Sequence, residues 1–199
     1  MLFRSAFFGY LLVLGLGILA IGWFRQWVLL NYLGMLFAYV HVVRTLSAHF
    51  QPQHVVEVMT FLVLFFLLYT AVTIVHNVVR RRPATLIETL GLLANAAVFL
   101  GLSHFCITRS FAPKWVAVVS VAMSAGYVGL TAWLLRRGVK DRGLLLPVMG
   151  LAGICAAVTM PLLLSREWLT AMWAVQALVM LWLGNRLQAS FLQIGRAHV

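Results

Sequence analysis

The sequence predicts an all-α fold, a polytopic transmembrane helical bundle of about seven spans. Two observations lead to this prediction. Of the 199 residues, 63% are hydrophobic and only 10% are charged, whereas a soluble domain carries about 25% charged residues. The apolar residues also form runs of about twenty without strand-like alternation. Such runs favour helices over a closed barrel, because backbone groups in lipid must bond to one another.

The apolar runs and the polar segments between them define the expected spans. A turn of four residues, 23–26, separates the first two runs and predicts an antiparallel helical hairpin. The first longer loop is expected at residues 44–54, and later runs end at basic or proline-containing segments. The result is one multi-span region over residues 1–193, with spans at about 5–24, 27–43, 55–79, 86–107, 114–135, 144–164 and 168–184.

The last six residues, 194–199, read Ile-Gly-Arg-Ala-His-Val and resemble the translated end of a sequencing adapter. The adapter's reading frame requires Lys, Glu or Gln immediately before it, and Gln193 fits. We therefore interpret residues 194–199 as a non-native tail and exclude them from the fold. The natural reading frame is expected to continue beyond Gln193, and resequencing the source template through that codon tests this expectation.

The basic residues predict the orientation of the spans. With seven spans, one side of the membrane carries five basic residues and the other carries nine, and the side with nine is expected to be cytoplasmic. The five are Arg4, Arg44, Arg109, Lys114 and Arg166. The other side includes the clusters expected to stop translocation and to contact anionic lipid. These are Arg80, Arg81, Arg82, Arg136, Arg137, Lys140 and Arg142. Nucleic-acid binding is not expected from the formal charge of +11, because the basic residues stand at the ends of apolar runs.

Three polar residues inside the predicted spans are the candidate functional positions: Glu88, Asn95 and Gln176. For Glu88 the favoured interpretation is an interfacial ion pair with the arginines at 80–82. The alternative is a polar stripe with Asn95, seven residues on and on the same helix face, which would line a solute path or bind a partner span. Asn95 and Gln176 are each expected to bond to another helix, the alternative for Gln176 being contact with a substrate.

Small residues at four-residue spacing in the fifth and sixth spans predict surfaces that let helix backbones approach closely. The pairs are Ser120 and Ser124, Ala122 and Gly126, Ala125 and Gly129, and Ala152 and Ala156. Pro147 and Pro161 give the one hint of the discontinuous helices that transporters use. His49 and His54 are candidate metal ligands, but the favoured interpretation is that they lie in a solvated loop. No metal or cofactor is expected, and Cys106 and Cys155 have no metal-binding spacing.

Several stretches of the chain form a recognisable pattern. They are residues 8–10, 23–27, 30–31, 34, 65–69, 134–137, 160–164, 168, 173–177 and 182–184. In this order they resemble the bacterial predicted membrane proteins of domain of unknown function 2339. The C-terminal stretches are the most specific, although that family usually carries a Glu and a Gly where this chain has Gln176 and Ala177. Family members are much longer, with further spans on both sides. The resemblance implies a multi-pass protein of the bacterial inner membrane whose partners are lipids and the helices of the missing parts of the chain; it implies no activity.

These observations leave three functional hypotheses. We favour a structural or interaction module of a larger envelope protein, since ionisable residues are sparse and packing motifs are abundant. The alternative is part of a transporter or channel, which requires a lined cavity. A membrane enzyme acting on lipid-linked substrates is less favoured, because the chain has only four acidic residues and they are spread over different segments.

Overall fold

The computed structural model describes residues 2–25, 28–80, 84–139, 141–163 and 166–186. Every regular element within these ranges is helical, which confirms the all-α prediction. The helices are α1 (Leu2–Arg25), α2 (Val28–His49), α3 (Val55–Arg80), α4 (Leu86–Ser110), α5 (Trp115–Arg136), α6 (Arg142–Leu163) and α7 (Arg166–Arg186), with a short 3₁₀ helix (Pro52–His54) before α3. Arg81, Arg82, Lys140 and the expected non-native tail lie outside the described residues.

Five of the helices, α2 to α6, are long and apolar enough to cross a membrane. Their apolar segments contain 21 to 25 residues, which at about 1.5 Å per residue spans a hydrocarbon core of about 30 Å. In α1 and α7 the apolar stretches found among the described residues are shorter, Phe8–Ile18 and Trp168–Trp182. The prediction of about seven spans is compatible with this arrangement.

The end of α2 corrects one predicted boundary. The helix continues past residue 43 to His49, so Arg44 is helical and not part of a loop. This final part is amphipathic, with Leu46 only 3% exposed and Arg44 exposed. Packing of Leu46 therefore holds the helix together after the apolar run has ended. The chain leaves the helix just before Pro52, where Gln51 has extended backbone angles (φ −125°, ψ 129°), as the residue before a proline prefers.

The turn after α5 depends on a glycine. Gly138 has φ of +72°, the left-handed region that favours glycine. Its N–H donates to the Leu135 carbonyl at 3.0 Å, and the Val139 N–H donates to the Leu134 carbonyl at 3.1 Å. This pair of bonds is a Schellman motif, which satisfies carbonyls at the end of α5 and redirects the chain towards α6.

The chain forms two compact units, and residues 1–113 make up the first. Within this unit α4 packs against α3 and α2, and α1 packs against α2 and α3. The core lies among these helices and is built from large side chains that are almost completely buried. The most buried are Phe65, Leu62, Leu92 and Val42.

Residues 114–199 form the second unit, in which α6 packs against both α5 and α7. The α5–α6 interface is extensive and buries Val116 and Leu134 from α5 with Val148 and Cys155 from α6. α6 runs without interruption from Arg142 to Leu163 although it contains Pro147 and Pro161. The two prolines therefore do not produce the discontinuous helix that they suggested in the sequence.

Candidate intramembrane polar site

Asn95 is the centre of a hydrogen-bonded junction between three helices of the first unit. Its side chain is 1% exposed. The Tyr39 hydroxyl of α2 donates to Asn95 Oδ1 at 2.6 Å. Asn95 Nδ2 donates in turn to the Phe66 carbonyl at 3.0 Å and to Thr70 Oγ1 at 2.9 Å, both on α3. Asn95 was expected to bond to a carbonyl or hydroxyl group on another helix. All three of its observed partners are groups of this kind.

A second link between α2 and α3 lies two turns away along α2. The Tyr32 hydroxyl is 3.4 Å from Thr73 Oγ1. Thr73 donates its own proton to the Tyr69 carbonyl at 3.2 Å, so the Tyr32 hydroxyl is the donor to Thr73. The Tyr32 ring lies directly against Gly91 of α4, where an added Cβ would collide with three ring atoms. Gly91 therefore provides the space that lets a tyrosine reach across α4 to α3.

Glu88 is buried at 4% exposure in the first turn of α4. Its Oε2 accepts from the Thr85 backbone N–H at 2.7 Å and from the Thr85 hydroxyl at 3.0 Å, and the Glu88 N–H donates to Thr85 Oγ1 at 3.4 Å. These contacts form a capping box at the start of α4. The favoured ion pair with the arginines at 80–82 remains a prediction, because Arg81 and Arg82 lie outside the described residues. The capping role was not predicted, although the sequence Thr-x-x-Glu is its usual signature.

The alternative stripe of Glu88 and Asn95 is part of a longer set of buried and half-buried polar residues, which we call the polar seam. It follows the α2–α3–α4 interface, and its members lie three, four or seven residues apart on each helix, which keeps them near one face. The polar seam consists of Tyr32, Tyr39, Thr70, Thr73, Asn77, Glu88 and Asn95. Only the α4 members were singled out from the sequence. The others were missed because tyrosine and threonine are unremarkable in apolar runs taken one at a time.

Two buried polar atoms near this interface have no hydrogen-bond partner within the described part of the chain. They are Nδ2 of Asn77, on a residue 4% exposed, and Oγ of Ser103, on a residue 0% exposed. Leaving a buried donor unpaired costs about 1–3 kcal/mol. The first unit therefore contains both a satisfied junction at Asn95 and unsatisfied polar groups at Asn77 and Ser103.

In the second unit Gln176 of α7 bonds to α6. Gln176 Nε2 donates to the Gly153 carbonyl at 2.5 Å, and Gln176 Oε1 has no partner within the residues that the structure describes. The observed contact is of the kind expected for Gln176. A Cβ at Gly153 would meet the terminal methyl group of Met180, so this flexible side chain of α7 packs directly against the Gly153 backbone.

Hydroxyl groups join α5 to α6 in the same unit. Ser120 Oγ donates to the Cys155 carbonyl at 2.7 Å, and Ser124 Oγ donates to the Ala152 carbonyl at 2.9 Å. This small-residue pair therefore packs as predicted. Four other small residues of α5 are exposed on its other side, and their packing against a helix remains a prediction. They are Ala122, Ala125, Gly126 and Gly129.

The basic clusters lie at helix ends. Arg80 is the last residue of α3, Arg136 the last of α5 and Arg142 the first of α6. The Arg137 guanidinium lies over the Trp133 ring, 5.3 Å from its centroid, within the range of a cation–π contact. Such an arrangement of tryptophan and arginine suits a membrane–water boundary, where both residue types are enriched. Contact of these residues with anionic lipid remains a prediction.

Of the two histidines considered as metal ligands, only His54 has a carboxylate nearby among the contacts described. His54 Nδ1 lies 3.9 Å from Glu57 Oε2, three residues along the chain, and His49 is exposed at the end of α2. Across the portion of the chain that is described, no three His, Cys, Asp or Glu side chains are grouped so that they could hold a metal ion.

Apolar helices of membrane-crossing length, joined by buried amide and hydroxyl groups, define a polytopic helical membrane protein. The comparison with known families agrees. A family model described as "Predicted membrane protein (DUF2339)" matches residues 4–196, so the chain belongs to that family. No curated protein and no solved structure gives a match.

Proposed function

We propose that the chain is a structural and interaction module of a larger protein in the bacterial inner membrane, without chemistry of its own. The observation that supports this most directly is the use made of the buried amides. Both N–H groups of Asn95 and one N–H of Gln176 are used in bonds between helices. An amide that binds a solute needs free donors or acceptors facing a cavity, whereas the oxygen and both N–H groups of Asn95 are bonded to other helices.

The outer surfaces suit contact with other helices. Most of α7 is exposed and apolar, including Leu178 at 66% and Trp173 at 51% exposure. In water such a surface would aggregate, whereas in a bilayer it meets lipid or further transmembrane segments. We propose that this exposed side of α7 contacts other transmembrane helices, and that lipid covers the remainder.

Photo-crosslinking in native membranes tests the interaction role. A photoreactive amino acid is placed at Leu178 of α7, and the matched control position is Val128 of α5, which is 58% exposed. We expect a protein adduct of discrete mass at Leu178 and lipid adducts at Val128. Lipid adducts alone at both positions, and at further exposed positions of α7, would contradict an interaction role.

The second candidate is part of a transporter or channel, favoured by the unpaired polar atoms of Asn77 and Ser103 and by the buried carboxyl group of Glu88. Ion flux into vesicles separates the two proposals. If the chain is a structural and interaction module, the rate of ion leak should be the same in vesicles with the protein and in protein-free vesicles. Flux that Glu88→Gln abolishes, and that Glu57→Gln at an exposed position leaves intact, would establish the transporter instead.

A further inference from the structure

An apolar groove of about 430 Å³ lies on the outer surface of the first unit between α1 and α2. Gly34 forms part of its floor, and a Cβ there would approach Ile18 Cδ1 to 3.2 Å. The wall on α2 is well exposed, with Leu33 at 52% and Phe37 at 52%. The groove is lined by Ile18, Leu33, Gly34, Leu36, Phe37 and Val40.

The lining of the groove favours the alkyl chain of a lipid. The groove follows α2 from Leu33 to Val40, a helical rise of about 10 Å. The lining side chains are all apolar, so an occupant has nothing there to bond with and is itself apolar along this part.

A cation stands at one end of the groove. Arg44 is exposed and lies on the same face of α2 as Leu33 and Val40, eleven residues after the first and four after the second. It occupies the point where the apolar run of α2 ends, at the expected membrane–water boundary. Arginine is the side chain best suited to pair with a phosphate. The distance from Leu33 to Arg44 is about 16 Å along the helix, close to the 15 Å of one hydrocarbon leaflet.

From the apolar lining, the length and the charge at its end, we propose that the groove binds an anionic glycerophospholipid. One acyl chain lies between α1 and α2 and reaches Leu33, and the lipid phosphate pairs with the Arg44 guanidinium. This site is separate from the basic clusters at the ends of α3, α5 and α6. The lipid site also does not depend on the proposed role as a structural and interaction module.

The test uses phosphatidylglycerol carrying a photoreactive diazirine on one acyl chain, diluted into phosphatidylcholine vesicles with the full chain. With the diazirine near the chain terminus, we expect labelled peptides to map around Leu33 and Gly34. With the diazirine near the ester, labels shift towards Val40. Arg44→Gln should lower the labelling about fivefold, the effect of losing about 1 kcal/mol of attraction at the membrane surface. Lys114→Gln, an exposed cation on the same predicted side, should leave it unchanged.

A steric variant tests the groove separately from the charge. Leu33→Trp should fill the groove and abolish the labels on α1 and α2, whereas Leu67→Trp on α3, at a residue of similar exposure (54%), should not. Protection of the buried Cys106 thiol against labelling verifies that each variant is folded. Labelling spread evenly over exposed apolar surfaces and insensitive to both Arg44→Gln and Leu33→Trp would show ordinary bulk lipid and overturn the proposal. A photoreactive amino acid at Leu33 that forms a protein adduct in native membranes would assign the groove to a partner helix and would also overturn the proposal.

Discussion

Replacing Asn95 by leucine should destabilise the first unit selectively. The substitution keeps the size of the side chain but removes three hydrogen bonds to α2 and α3. Interhelical bonds in membranes average about 0.6 kcal/mol each and reach about 1.7. The Phe66 carbonyl and the Thr70 hydroxyl can satisfy one another, but the buried Tyr39 hydroxyl is left without its acceptor. We therefore expect a loss of about 2 kcal/mol in the free energy of unfolding.

The two buried cysteines provide an assay that reports each unit separately. Cys106 lies in α4 of the first unit and Cys155 in α6 of the second, and both are free thiols. Their reaction with a membrane-permeant thiol reagent, counted by mass spectrometry over time, measures local opening. In Asn95→Leu, Cys106 should react about 30-fold faster, which corresponds to about 2 kcal/mol. The reaction of Cys155 should not change.

Two further variants decide whether the Asn95 junction is responsible. Tyr39→Phe removes the other partner of the 2.6 Å bond, and the double variant with Asn95→Leu should cost about 1 kcal/mol less than the sum of the single changes. Asn77→Leu makes the same substitution at a similarly buried position with an unpaired N–H group, and should change stability by less than about 0.5 kcal/mol or increase it. Equal costs for Asn95→Leu and Asn77→Leu, with no coupling to Tyr39, would refute the reasoning.

The same thiol assay checks three other predictions. Gly91→Ala should make Cys106 react faster, because the added Cβ collides with the Tyr32 ring at a cost of about 1–3 kcal/mol in stability. The control, Gly101→Ala on the same helix, meets no neighbouring atom within 4 Å and should be neutral or stabilising. Equal effects of the two substitutions would contradict the packing described. Gln176→Leu should cost at most about 1 kcal/mol, seen at Cys155 only, because it removes one bond and one unpaired oxygen. Gly138→Ala should cost about 1 kcal/mol through its left-handed backbone, and Gly143→Ala is its control. For orientation, a cysteine at Gln53 should be labelled from outside the cell and one at Lys140 should not; efficient external labelling at Lys140 would reverse the predicted topology.

The helices followed from the sequence because a run of about twenty apolar residues has few alternatives in lipid. The ends were less certain. α2 continues to His49 because Leu46 packs in the core, which is a tertiary effect that a hydropathy pattern does not contain. Pro147 and Pro161 were misleading for a similar reason, since α6 remains helical through both.

The candidate site was predicted only in part. Asn95 and Gln176 could be expected to bond to other helices, because a lone amide in an apolar run has few other outcomes. Their partners could not be named, since Tyr39 and Thr70 become significant only when three helices meet. The capping box of Thr85 and Glu88 was not predicted, although its signature is present in the sequence.

The Asn95 junction has a consequence for the order in which the chain enters the bilayer. All three groups that bond to the Asn95 side chain, from Tyr39, Phe66 and Thr70, precede it in the chain. During synthesis from the N-terminus, α2 and α3 are therefore in place when α4 arrives. The same holds for Gln176, whose acceptor on Gly153 is made earlier. The partners of each amide are therefore synthesised before the amide itself, so each amide can form its hydrogen bonds as its helix enters the bilayer.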